Sequence, residues 1–306
     1  MEKIPYFGQT LIRWNVGDST FLALPEKGAR LMNWSIQLPD GSVRDVIHWP
    51  EVKTLDDFHK VRGGNPILFP FCGRSFDKGE IGFWRDAKGV RRPMPMHGLA
   101  RQGEFRTARI DANGFDAVFV PGAEAADCYP FRHEFRVEYR FSAFGLTCRF
   151  TLENLGDEPL PWCAGHHFYF KLPWAEGSLR RDHLIRIPAG KRLRQEPTGR
   201  LIAGPALRLN EPMDNPALID TFHTDLKESV VVFGEKGLPG DVAVRLGDAE
   251  VPEPGSTFVT WTLADDSPFY CVEPWMGPPN AMENKIGLRV VPPGARQAFT
   301  VSIAVR

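Results

Sequence analysis

Short segments of strict two-residue alternation, separated by turn residues too dense for long helices, constrain this chain more than any other feature. In HEFRVEYRFSA, Phe135, Val137, Tyr139 and Phe141 fall on one side and Glu134, Arg136, Glu138 and Arg140 on the other. That is the pattern of a strand with one face buried and one in water. AFTVSIAVR repeats it with Phe299, Val301, Ile303 and Val305, and SVVVFGEKG adds a more continuous β-branched run. GLTCRFTLENLGDEPLPWCAGHHFYF gives another alternating run (Leu146, Cys148, Phe150, Leu152), then a Gly-Asp turn and a further strand, and reads as a hairpin. The 29 glycines and 27 prolines interrupt nearly every window that could hold three helical turns. An all-β fold of antiparallel strands joined by turns follows.

The 306 residues, 42% hydrophobic and 25% charged, are those of a globular chain with a sizeable core. No composition shift marks a linker, so a single domain over residues 1–306 is expected, with the proline-rich stretches 188–216 and 251–255 read as long connections. A net charge of -1 without long lysine or arginine runs argues against a nucleic-acid partner. The start, MEKIPYFGQTLIRW, lacks the basic and apolar regions of a secretory signal, and no apolar run reaches the length of a membrane span. A cytoplasmic protein with no membrane partner is expected, and nothing in the sequence addresses its oligomeric state. Five scattered cysteines without a CxxC spacing speak against a disulfide framework or structural zinc, and read as small buried hydrophobes.

Four stretches place ionisable residues among glycines and prolines in ways that core packing does not require. GGNPILFPFCGR ends in Arg74, and MPMHGLARQGEF carries His97 ahead of a glycine. PWCAGHHFYFKLP holds His166 and His167 in an aromatic strand, where alternation sends the two rings to opposite faces. FYCVEPWMGPPNA places Glu273 at the end of an apolar strand, where a carboxylate is costly unless paired or set in a polar pocket. A histidine and a glutamate on two sides of a small substrate can donate one proton while withdrawing another. A metal site is not expected, because the adjacent histidines and the distant Glu273 lack the clustered spacing of small β-barrel metalloenzymes. No GxSxG elbow points to a nucleophilic triad.

In their order and spacing, GGNPILFPFCGR, HGLAR, GHHFYF and CVEPWMGPPNA resemble the aldose 1-epimerase (galactose mutarotase-like) family over residues 63–281. The resemblance implies a large all-β supersandwich of antiparallel sheets and a mutarotase that interconverts the α and β anomers of an aldose without metal or redox cofactor. It implies His167, two positions before the Tyr-Phe pair, and Glu273 as catalytic residues. It implies Arg74, His97 and Asp220 as substrate-binding residues, with Trp275 available to pack on the sugar. His166 falls on a variable position. Two alternatives accompany this reading: a hexose 6-phosphate mutarotase whose phosphate clamp draws on Arg62, Arg85, Arg91, Arg92 and Arg101, and a non-catalytic sugar-binding protein of the same fold.

Overall fold

The computed structural model describes residues 1–50, 52–175 and 177–306. Two large sheets dominate it, one of 13 strands and one of nine, and every ladder in them is antiparallel. In the larger sheet the N-terminal strands from Glu2–Tyr6 to Val43–Ile47 lie side by side in chain order. They continue into Tyr169–Lys171, Phe269–Trp275, Thr257–Trp261, Thr221–Leu226 and Ala189–Gln195. The smaller sheet is centred on His133–Ser142, Gly145–Asn154 and Arg296–Val305.

The alternating sequences do what their pattern demands. In His133–Ser142 the residues Phe135, Val137, Tyr139 and Phe141 are buried, while the charged residues between them are only partly so. One main cluster of buried side chains, from Ile12 to Ile303, fills the space between the two sheets. Phe150 sits near its middle, with Phe135 and Phe299 against it and the His166 ring stacked on it at 4.2 Å.

The larger sheet is unusual in being covered on both faces near its centre. Phe269–Trp275 is buried throughout, which is why its sequence reads as a nearly continuous apolar run. Tyr270 and Val272 point into the main core, whereas Phe269, Cys271 and Trp275 belong to two smaller clusters on the outer face. The neighbouring segment divides in the same way: His166, Phe168 and Phe170 face inward, and His167, Tyr169 and Lys171 face outward.

Two expectations need correction, and one alternative loses support. The run after Gly145–Asn154 does not fold back as a hairpin: Leu160–Trp162 pairs with Arg289–Val291, and the true hairpin partner of Gly145–Asn154 is the preceding His133–Ser142. Local turn residues end a strand, but they do not choose its partner. The 188–216 stretch is more than a connection, since it carries strands Ala189–Gln195, Leu201–Ala203 and Asn210–Pro212; Leu201–Ala203 is the edge of the larger sheet, and Asn210–Pro212 is the edge of the smaller one, where its proline is tolerated. Arg85, Arg91 and Arg92 form no clamp, because Asp77, Glu80 and Asp86 pair with them on the surface.

Truncating Phe150 to alanine would leave a cavity beneath His166 and between both sheets. The expected cost is about 3–5 kcal/mol, read as a lower midpoint in chemical denaturation.

Candidate active site

The outer face of the larger sheet brings the four sequence segments together. Tyr169 pairs with Cys271 and Gly165 with Trp275, a constant register that sets His167 opposite Glu273. The strand ladder is interrupted at His167 and Phe168. There the His167 backbone N–H donates instead to the Pro66 carbonyl and to Asn65 Oδ1, each at 3.1 Å. GGNPILFPFCGR therefore lies alongside the histidine segment, with Gly165 against Leu68 and His166 against Ile67.

Asn65 is the clasp. Its Nδ2 donates to Tyr139 Oη at 2.6 Å and to His166 Nδ1 at 2.9 Å, while its Oδ1 holds the His167 backbone. The bond to Nδ1 makes that nitrogen of His166 an acceptor. The ring lies wholly in the core, stacked between Phe150 and Phe168, and burial pushes its pKa down to about 3.

His97 is held just as firmly. Its backbone N–H donates to the Gly73 carbonyl at 2.8 Å, and Gly73 N–H donates back to Nδ1 at 3.2 Å. The ring proton therefore sits on Nε2. His97 has φ +69°, a left-handed conformation that costs a non-glycine residue about 1–2 kcal/mol. Gly98 makes the turn possible: a Cβ there would lie 2.1 Å from the Phe69 carbonyl oxygen. The His97 ring centroid is 5.3 Å from that of His167 and 5.8 Å from that of Trp275.

His167 Nε2 and Glu273 Oε1 are 3.5 Å apart, and the residues are only 9% and 2% exposed. Tyr169 stacks on the His167 ring at 4.7 Å, and Trp261 meets it edge-on. Burial, with Arg101 and Arg30 nearby, pushes the His167 pKa down to about 3. Burial raises the Glu273 carboxyl well above its ordinary value; the Trp275 indole works against the rise and Asp220 adds to it. Both groups are thus driven toward their neutral forms, and a single proton shared between them suits the site best. His97 is likewise held neutral by burial first, then by the positive charge it would share with His167, Arg101 and Arg74.

Above this buried floor stand exposed Arg74 and Asp220. Asp220 also has a left-handed backbone, φ +53°. Partial burial raises its pKa, and the nearby Arg74 and Arg194 lower it. The structure thus brings His167, Glu273, Arg74, His97 and Asp220 together. A cavity of about 730 Å³ lined by Arg44, Phe144 and Arg306 shares none of these residues and contains no histidine, so volume alone does not locate the chemistry.

Some members of the site carried no sequence signal. Asn65 is hidden in a glycine-proline turn, and Cys271 reads as one more buried thiol. Arg30 is completely buried and donates to the backbone carbonyls of Gly63, Phe58 and Val61. Arg101, considered from sequence only as part of a phosphate clamp, lies beside His97, His167 and Tyr169 and makes no hydrogen bond or ion pair among the described residues.

A large antiparallel β-sandwich with a buried histidine-glutamate pair on an outer sheet face defines a class, and comparison with known proteins identifies it. The aldose 1-epimerase family model matches residues 10–231, and the chain belongs to that family. Protein LacX (chromosomal) of Lactococcus lactis subsp. lactis is 26% identical over 235 residues, 72% of this chain and 76% of its own. A solved structure of a Synechocystis protein superposes with a TM-score of 0.80 at 22% identity, covering 100% of this chain and 99% of that one. A galactose mutarotase related enzyme from Lactobacillus acidophilus gives a TM-score of 0.72 at 21% identity, covering 97% of both chains. These likenesses carry the supersandwich fold.

Replacing Asn65 with alanine would orphan His166 Nδ1 and release the His167 backbone; a loss of roughly 2–4 kcal/mol is expected in denaturant unfolding. Acid stability follows from the histidines. His166, His167 and His223 have folded pKa values of about 3, below the ordinary 6.5, so the unfolded chain binds protons that the folded chain refuses. Stability from these three is full above pH ~6.5 and falls as pH drops toward 3, by on the order of 1 kcal/mol per pH unit for each. Unfolding midpoints measured between pH 7 and 4 check this slope.

Proposed function

We propose that the protein is an aldose 1-epimerase that interconverts the α and β anomers of a free aldose, with residues 1–306 acting as one domain. The observation that carries this reading is the buried His167–Glu273 pair, 3.5 Å apart, with the hydrogen-bonding side chains of Arg74, His97 and Asp220 near it.

The chemistry starts from the single proton of the pair. Without sugar bound, burial favours that proton on the Glu273 carboxyl, with His167 neutral. A bound sugar whose hydroxyls donate to Glu273 stabilises the carboxylate and moves the proton the short distance to His167 Nε2. Glu273 then withdraws the proton of the C1 hydroxyl while His167 gives its proton to the ring oxygen. The C1–ring oxygen bond breaks, and the open-chain aldehyde forms. After rotation about C1–C2, His167 takes the proton back from the former ring oxygen as that oxygen attacks the other carbonyl face, and Glu273 returns its proton to O1. No net proton is consumed, so each group is acid in one half and base in the other.

The surrounding groups suit a polyol. His97 offers an Nε2–H donor, Arg74 a fork of donors, and Asp220 acceptors. The left-handed backbones of His97 and Asp220 point the same way, since strained conformations gather at functional sites. Trp275, packed by His97 and Phe222, supplies an apolar face. A second reading, a sugar phosphate as substrate, draws support from Arg101, a guanidinium near the acid/base pair with no partner among the described residues. The non-catalytic reading becomes an outcome of the test below.

Anomer exchange of freshly dissolved aldoses and aldose 6-phosphates, followed by NMR or polarimetry, tests the proposal. Acceleration over buffer is expected for at least one sugar. His167→Asn and Glu273→Gln should each lower it by about 10²–10⁴-fold, with sugar binding by Glu273→Gln still measurable. Binding without acceleration by the wild type would instead establish a sugar-binding protein, and loss of activity confined to a His166 variant would reverse the assignment of the two histidines.

A further inference from the structure

The acid/base scheme leaves one buried reactive group unused. Cys271 lies two residues before Glu273 on the same face of the strand, wholly buried between Trp261 and Tyr169, its partners on the two flanking strands. Candidate ligand atoms of His167, Cys271 and Glu273 all lie within 4.8 Å of one another. A second observation is independent of that spacing: Glu273 Oε2 is buried and has no hydrogen-bond partner, although the residue is only 2% exposed. An acceptor so placed is costly unless something fills its remaining coordination.

We propose that this floor binds a borderline-soft divalent cation, zinc(II) being the best match, through His167, Cys271 and Glu273, and that the bound metal switches off the acid/base pair. One nitrogen, one sulfur and one oxygen form a donor set suited to zinc(II) and foreign to magnesium or calcium, which need six or more oxygens. A tetrahedral centre with bonds of about 2.0–2.3 Å places its ligand atoms roughly 3.3–3.8 Å apart. The His167–Glu273 separation of 3.5 Å already falls in that range, and the thiol must approach by about 1 Å.

Two of the three ligands share one rigid strand and the third sits opposite on its neighbour, so the protein supplies a largely formed half-shell. Three protein ligands leave the fourth position of a tetrahedral centre to water or a sugar hydroxyl. Binding releases the Cys271 thiol proton and the proton of the pair to solvent. Both proton-transfer atoms are then occupied by metal, and ring opening stops. The inhibitory consequence rests on the acid/base reading; the metal site itself does not.

The test titrates metal-free protein with cobalt(II) and then zinc(II) while anomer exchange is measured on the same samples. A near-ultraviolet thiolate-to-cobalt charge-transfer band, displaced by one equivalent of zinc(II), is expected in the wild type and absent from Cys271→Ser and Cys271→Ala. Zinc(II) affinity by calorimetry should weaken more than about tenfold in both variants, and two variants guard against one that folds poorly. In the wild type zinc(II) should slow anomer exchange reversibly, with activity restored by a chelator. Absence of the band from the wild type, or its persistence in both folded variants, overturns the site. A band together with anomer exchange that is indifferent to saturating zinc(II) overturns the switch. Protein that shows the band with cobalt(II) yet never exchanges anomers when metal-free refutes the epimerase reading and leaves the metal site supported.

Discussion

The site depends on one constraint, the register between the His166–Lys171 segment and the Phe269–Trp275 strand. Because side chains alternate along a strand, a slip of one residue would send His166 outward and His167 into the core. Asn65 prevents that slip by bonding both residues at once, His166 through its ring and His167 through its backbone. The aromatic stack of Phe150, His166 and Phe168 adds a packing preference for the same register. A core asparagine with all its partners satisfied specifies one arrangement where apolar residues alone would tolerate several.

Burying both an acid and a base is expensive, and the structure places that expense where the chemistry is. His167 and Glu273 lie under aromatic rings rather than in water, so their charged forms are disfavoured and one proton can be exchanged between them. Arg30 and Arg101 reinforce the neutral state of His167 by repelling a second positive charge. The same burial that makes the pair reactive also leaves Glu273 Oε2 without a partner and draws Cys271 into range. Outside this floor the exposed charges mostly pair locally, as Arg85 and Arg91 do with Asp77.

Much of this was legible in the chain and some was not. The strands His133–Ser142 and Arg296–Val305 follow directly from period-two patterning, and alternation alone separates the faces of His166 and His167. The supposed hairpin after Gly145–Asn154 failed because pairing is decided by which apolar faces meet in the folded core, and Leu160–Trp162 met Arg289–Val291 instead. The 188–216 strands were obscured by Pro188, Pro197 and Pro205 between them and by Pro212, which the edge position of Asn210–Pro212 tolerates. Asn65 and Arg30 gave no signal, since their value lies in partners distant along the chain: Tyr139, His166 and His167 for one, and the carbonyls of residues 58–63 for the other.

By itself the sequence determined the all-β class, the opposite facing of the two histidines and the four segments from which a site is built, because these follow from local periodicity, turn chemistry and ordered motifs. Only the tertiary structure decided that His167 faces Glu273 at 3.5 Å, that His97 is locked to Gly73 as an Nε2–H donor, and that Cys271 stands beside the pair. Those relations are set by strand register and by hydrogen bonds between residues far apart in sequence, and no local pattern encodes either.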